Sequence, residues 1–320
     1  MKKIIITALL LAAAGAGHAQ DEAAPFLSIT VDPRAAAMGS VSTTLASDAY
    51  AVFSGSAAGA FAADKFAISA SFAPVSSADR NLITGAGYVT FGKAGTLTAG
   101  FRYYGGKSIQ GYDEGGNLTD TFKPADMAAE AGYALKLHKN WSIGLTARFI
   151  NSSIWTDMSA SAFAADLQAM FRTEVGSNKS DLRVSAGLRN LGTKLSYDES
   201  SAAMPGAAGV NAAMSIPLDS KKVHVVSWTA GADLKITGDA GLRAGVGAEY
   251  FAFDIVGVRA GYHIESDSRK FDTGKGNNLS YATVGLGLKY KFVRADFTYL
   301  LGGSESPVKG TWMAGIGVMF

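Results

Sequence analysis

Catalysis needs titratable side chains gathered at short spacing, and this sequence scatters them. Its four histidines, His18, His138, His224 and His263, stand far apart. None is spaced with a serine and an acid for nucleophilic attack, or with a second ligand for a metal. The absence of cysteine excludes thiolate nucleophiles and zinc–thiolate sites. Gly-x-Gly pairs at 245–247 and 285–287 lie inside alternating segments, where a bulge or a close backbone approach is the better reading than a phosphate loop. Asp113, Glu114 and Asp120 offer oxygens to calcium, but without the spacing of an EF-hand. The residues therefore point to no enzyme, no catalytic or metal-ligating group and no cofactor. A formal net charge of +2 does not suggest a nucleic-acid partner.

The charges that do recur are set opposite aliphatics. Strand side chains alternate with period two. In 241–250, Leu242, Ala244, Val246, Ala248 and Tyr250 oppose Arg243, Gly245, Gly247 and Glu249. In 292–299, Val293, Ala295, Phe297 and Tyr299 oppose Arg294, Asp296 and Thr298. The same alternation places Arg102, Arg148, Arg183 and Arg259 opposite Leu, Val and Ala side chains. From Lys65 to Phe320 it recurs in about fourteen segments of roughly ten residues, the length a tilted strand needs to cross a bilayer. Alternation alone also describes a soluble sandwich with the opposite face buried.

Three further features favour an apolar exterior. Residues 1–19 read as a secretory signal peptide, with Lys2 and Lys3, an apolar Ile4 to Ala14, and a Gly17-His18-Ala19 cleavage site. Hydrophobic residues make up 48% of the chain, yet no stretch approaches the ~18 apolar residues of a spanning helix. The C-terminal strand puts Trp312, Ala314, Ile316, Val318 and Phe320 on one face and ends on the aromatic. Trp312, Ile316, Val318 and Phe320 resemble the signal read by the outer-membrane barrel insertion machinery. In lipid, only helices and closed barrels satisfy every backbone polar group. The expected fold is all-β: a transmembrane antiparallel β-barrel of about 14 strands in the outer membrane, at residues 64–320. Outer loops are expected to be long, including one of about eight residues before 160, and periplasmic turns short. Phe66, Tyr88, Tyr103, Tyr133, Trp141, Tyr250, Tyr262, Tyr290 and Trp312 are candidates for the interfacial girdles.

Residues 20–63 carry no alternation and are rich in Ala and Ser. Asp32-Pro33-Arg34 starts a helical turn that Gly39 ends, and Ser47-Asp48 caps a second. A fourteen-strand barrel is wider than its own side chains fill. Its inward positions are rich in Gly and Ala, which admit another backbone. The expectation is that 20–63 forms an N-terminal lumenal plug. Lumen charges Arg102, Arg148, Arg183, Arg243, Glu249, Arg259, Arg294 and Asp296 then pair with each other or with Asp32, Arg34 and Asp48. A water-filled porin is the alternative.

The run Phe26-Leu27-Ser28-Ile29, Asp32-Pro33-Arg34-Ala35-Ala36-Ala37-Met38-Gly39 and Ala46-Ser47-Asp48-Ala49-Tyr50-Ala51 resembles the start of mature PorV/PorQ family proteins. Ser54-Gly55-Ser56-Ala57-Ala58 stands where many members have an Asn-Pro-Ala turn. The resemblance, carried by about thirty residues including Asp32, Arg34, Met38, Gly39 and Asp48, implies a FadL-like outer-membrane barrel with a lumenal N-terminal segment, associated with type IX secretion. It implies a role in binding or anchoring secreted proteins at the cell surface, with cargo or other secretion-system proteins meeting outer loops 106–125, 191–205 and 265–278. The alternative is a FadL-like transporter of hydrophobic small molecules, with Phe26, Leu27, Phe53 and Phe61 lining its pocket.

Overall fold

The computed structural model describes residues 22–40, 48–75, 79–112, 116–155, 158–198, 200–237, 241–267, 279–302, 308 and 310–320. The signal-peptide region 1–19, the acids Asp113 and Glu114, and most of 265–278 lie outside the described residues.

Strands are built where aliphatics and small or charged residues alternate. They are β1 (Phe66–Val75), β2 (Arg80–Thr90), β3 (Thr96–Gly106), β4 (Ile109–Tyr112), β5 (Leu118–Phe122), β6 (Ala125–His138), β7 (Trp141–Trp155), β8 (Met158–Val175) and β9 (Ser180–Gly192). Then follow β10 (Leu195–Tyr197), β11 (Ser200–Ala202), β12 (Ala207–Pro217), β13 (His224–Lys235), β14 (Gly241–Ala252), β15 (Val256–Asp267), β16 (Leu279–Tyr290), β17 (Val293–Gly302) and β18 (Trp312–Met319). Fourteen of them close an antiparallel barrel in which each strand pairs with its neighbour in the chain, once the loop hairpins β4–β5 and β10–β11 are set aside. Pairing of β1 with β18, from Ala67 with Met319 to Phe72 with Ala314, joins the ends. Closure leaves the wall with no edge along the seam.

The faces settle barrel against sandwich. Ile68, Val246, Val258 and Leu286 are more than half exposed, whereas Arg102 and Arg259 are 2% exposed. A soluble sandwich buries the first set and wets the second. Here the aliphatics form the outer wall and the charges face the lumen, as lipid requires. Tyr88 departs from the expected aromatic girdles. It is in phase with Thr84 and Ala86, points inward and is buried.

Short turns of two to six residues join strands at one end, as at 139–140 and 218–223; the other end carries 107–124 and 193–206. Long connections mark the cell-surface side. The expected eight-residue loop before 160 is instead a continuation of the sheet. β7 and β8 run to 15 and 18 residues and leave only 156–157 between them. Beyond the Phe149–Phe163 pair, outward positions turn polar (Asn151, Ser153, Ser159, Ser161), so the apolar alternation stops while the ladder goes on.

At the periplasmic end the chain terminus is fastened to the first strand. The Phe320 N–H donates to Phe66 O (2.8 Å), and Phe320 O accepts from the N–H groups of Lys65 (2.6 Å) and Phe66 (3.0 Å). Its ring stacks on Phe292, centroids 5.0 Å apart. Phe320→Ala keeps the backbone bonds and removes the stack, so it costs about 1 kcal/mol of folded barrel. Urea titration in detergent, followed by heat-modifiability on gels, measures that loss.

Candidate functional site

The lumen is occupied by the chain's own N-terminal residues. Asp32 caps the single-turn helix α1 (Pro33–Ala37), its carboxylate accepting the Arg34 N–H at 2.8 Å, with Pro33 at the first helical position. Gly39 ends the turn at φ +88°, a left-handed conformation that side chains resist. A Cβ there would also fall 2.7 Å from Val246 O. Asp48 caps the next turn, Ala49–Phe53, which is a 3₁₀ turn, and Ala57–Phe61 forms another.

These turns sit against wall positions that lack side chains. A Cβ at Gly247 would lie 2.6 Å from Met38 Cα, at Gly285 2.5 Å from Ala37 Cβ, and at Gly315 2.8 Å from Pro33 Cγ. At Gly144 it would lie 2.8 Å from Ala57 Cα. Packing this close gains dispersion contacts that a bulkier wall would forbid. Wall hydroxyls meet the carbonyls that the short turns leave open. Ser71 donates to Val31 O (2.7 Å), Thr283 to Ala37 O (2.8 Å), Ser142 to Ala57 O (2.9 Å) and Thr96 to Gly59 O (3.0 Å). Thr298 donates to Pro33 O, and the His263 ring lies 3.0 Å from Gly39 O. Buried backbone groups need partners, and here the barrel supplies them. Sequence reading missed these serines and threonines; their signal is a hydroxyl in phase with the lumenal glycines.

All eight lumen charges face inward, and the structure sorts them into groups. One group joins segment to wall. The Arg34 Nε donates to Glu249 at 2.9 Å and its terminal nitrogen reaches the other oxygen. Arg259 holds Glu249 at 2.6 Å and Asp296 at 2.7 Å; Arg294 holds Asp296 at 2.6 Å and lies 3.9 Å from Asp48. On another side of the lumen, Arg102 pairs with Glu130 at 2.7 Å, and Arg148 with Glu130 at 2.8 Å and Asp166 at 3.0 Å. Arg102 also donates to Leu27 O at 3.0 Å and stacks over Phe53 at 4.6 Å. Arg183 pairs with Asp181 at 2.7 Å, and Arg243 with Glu265 at 2.8 Å near the outer mouth. Glu130 and Asp166 escaped the sequence reading, although Glu130 is in phase with Gly132 and Ala134. Of the C-terminal residues, Trp312 lies tilted against Phe72 (5.6 Å) and stacks with Phe297 (6.0 Å), while Ile316 and Phe320 are exposed on the outer face and Val318 partly so.

In the N-terminal segment burial pushes the Asp32 carboxyl up to about 7; the neighbouring Asp48 adds to the push and Arg294 opposes it. Burial raises Asp48 too, against the pull of Arg294 and Arg34.

Above the segment lies a cavity of about 280 Å³. Pro25, Leu27, Ile29, Val31, Phe53 and Leu300 give it an apolar side, and Asp166, Arg189, Asp233, Arg243 and Glu265 a charged one. Phe26 and Phe61 are buried elsewhere in the segment. The β10–β11 hairpin of loop 191–205 reaches the outer mouth, where the Ala23 N–H donates to Ala203 O (2.9 Å) and Lys235 holds Glu22 at 3.1 Å. In loop 106–125, the Phe122 ring of β5 lies 3.9 Å from that of Trp155.

The family model described as type IX secretion system protein PorV matches residues 16–227. No curated protein matches the chain. Among solved structures, the Pseudomonas putida toluene transporter TodX is similar at TM-score 0.56 and 11% identity, over 91% of this chain and 98% of that one. The Ralstonia pickettii toluene transporter TbuX gives TM-score 0.54 and 11% identity over 91% and 97%. A Pseudomonas aeruginosa FadL homologue gives 0.50 and 11% over 91% and 98%. At such identity the likeness is one of fold.

Two outcomes follow. Glu249→Ala leaves Arg34 and Arg259 buried without their shared carboxylate and costs roughly 3–5 kcal/mol, read as a lower urea midpoint. For Asp32, the folded-state value lies above the ordinary 3.8. The folded form therefore binds the extra proton, and the stability this contributes is full below about pH 4 and lost as pH rises through about 7. Asp32→Asn keeps the cap without the charge. It raises the midpoint at pH 8, and its advantage shrinks toward pH 4.

Proposed function

Because this chain belongs to the PorV family of type IX secretion system proteins, outer-membrane barrels by family and fold, we propose that it binds secreted proteins at its outer rim and holds or hands them over at the cell surface. In this reading residues 20–63, left by removal of a signal peptide at 1–19, are a plug, and the barrel is a platform rather than a conduit. One observation carries the proposal: the described N-terminal residues lie against the inner wall, tied to it by the Arg34–Glu249–Arg259–Asp296–Arg294 chain. What remains for partners is the cell-surface end, with its hairpins Ile109–Tyr112/Leu118–Phe122 and Leu195–Tyr197/Ser200–Ala202.

The second reading is a FadL-like transporter of hydrophobic small molecules. The cavity above the segment favours it, and so do the hydrocarbon channels and toluene transporters whose fold this chain shares. Against it, Asp166, Arg189, Asp233, Arg243 and Glu265 also line that cavity. An apolar guest would strip water from ionised groups without replacing their hydrogen bonds, which is costly.

A deletion strain separates the two. Loss of surface-retained secreted proteins with normal uptake of a lipophilic nutrient supports the platform; normal retention with failed uptake overturns it. Removal of residues 22–60 is expected to open the lumen and raise single-channel conductance in planar bilayers from near zero to a porin-like level. Unchanged conductance would sink the plug.

A further inference from the structure

We infer that the projecting β7–β8 hairpin carries a strand-addition site for an extended segment of a secreted protein, at the free edge of β8 over residues 158–162; this rests on the platform reading above. Pairing of β8 with β7 continues to Trp155 with Met158, but its pairing with β9 stops at Ala164 with Gly192. Thr193 closes the β9 side, its N–H donating to Phe163 O (2.9 Å) and its hydroxyl accepting the Phe163 N–H (3.1 Å). Backbone groups of an antiparallel strand point alternately to its two neighbours. Phe163 faces β9, so Ser161 and Ser159 face that side as well. Each brings one N–H and one C=O to the place that β9 would fill were it longer, and among the described residues no backbone group bonds them there.

This edge stands outside the hydrocarbon. Phe149 and Phe163, 5.3 Å apart, mark the aromatic rim. Past them the outward face is hydrophilic, with the Asn151 amide donating to the Ser161 hydroxyl at 3.1 Å. The lumenal side of the same stretch, Ala160 and Ala162, is buried in one cluster with Leu195, whose strand β10 has its own partner in β11. β10 packs against β8 but forms no ladder with it, and at the hairpin tip Ile154, Trp155 and Met158 are about two-fifths exposed.

Donors and acceptors alternating two residues apart match a polypeptide backbone, and lipid offers no such row. A second copy fits poorly. A two-fold axis normal to the membrane sets two β8 strands parallel, a pairing less stable per residue than the antiparallel one an extended segment can adopt. Four backbone bonds and a small apolar tip make a short docking site, suited to cargo that must leave again.

Ser161→Pro tests this, because it deletes an N–H aimed at the vacant side and none that β7 uses. Tagged barrel is isolated from native membranes and the secreted proteins bound to it are quantified. The expectation is a loss of about tenfold for Ser161→Pro and none for Ser161→Ala. Amide exchange on the wild-type barrel, with bound proteins and after they are stripped, is expected to show Ser159 and Ser161 protected about tenfold only in the complex. Equal binding by Ser161→Pro, or exchange that does not change, overturns the edge site and leaves the platform standing. A wild-type barrel that binds no secreted protein overturns both. If Ser161→Pro fails to assemble, the wild-type exchange decides.

Discussion

Lipid outside the wall cannot hydrogen-bond, and the rest of the molecule follows from that constraint. Side chains that face the hydrocarbon must be apolar, so the charges of the membrane-spanning strands are driven into one enclosed lumen. There a lone guanidinium or carboxylate would be ruinous, because burial of an unpaired charge costs several kcal/mol. The lumen solves this by pairing: Arg102, Arg148, Arg259 and Arg294 each meet a carboxylate within 3.0 Å. Buried ion pairs are weak evidence of stability in themselves. Their effect is on position, since each partner can be satisfied in only one arrangement.

That positional demand reaches the N-terminal segment through Arg34 and Asp48. The segment has little structure of its own: one short helical turn and brief 3₁₀ turns cannot hold together in water. Its conformation is imposed by the wall, through glycines that admit its backbone and hydroxyls that meet its carbonyls. Gly247, Gly285 and Gly315 lie beneath α1 as Gly144 lies beneath Ala57. Among the described residues the longer connections and the overlong β7–β8 hairpin stand at the end of the barrel opposite the short turns.

Most of the barrel could be read from the sequence because a membrane strand is a strict pattern. Its length is set by bilayer thickness and its faces by lipid on one side, so Ile68, Val246 and Leu286 declare themselves. The reading failed where that pattern has no hold. Tyr88 was assigned by residue type to an interface, whereas its phase with Thr84 sends it inward. Residues 152–159 read as a loop because outside the bilayer a ladder no longer needs apolar residues. Glu130 and Asp166 stayed hidden because the worth of a lumenal acid depends on which arginine lies across from it. Glu130 lies opposite Arg148 by register, about 60 Å of chain away along two strands and a turn.

By itself the sequence determined the class of fold, the number and phase of the strands, the caps at Asp32 and Asp48 and the family. These depend on local periodicity and on short motifs, which neighbouring residues specify. Tertiary structure alone decided which charges share a partner, which glycines lie under which turn, and where β9 stops short of β8. Those are contacts between residues distant in the chain, fixed only when closure of the barrel sets every register at once.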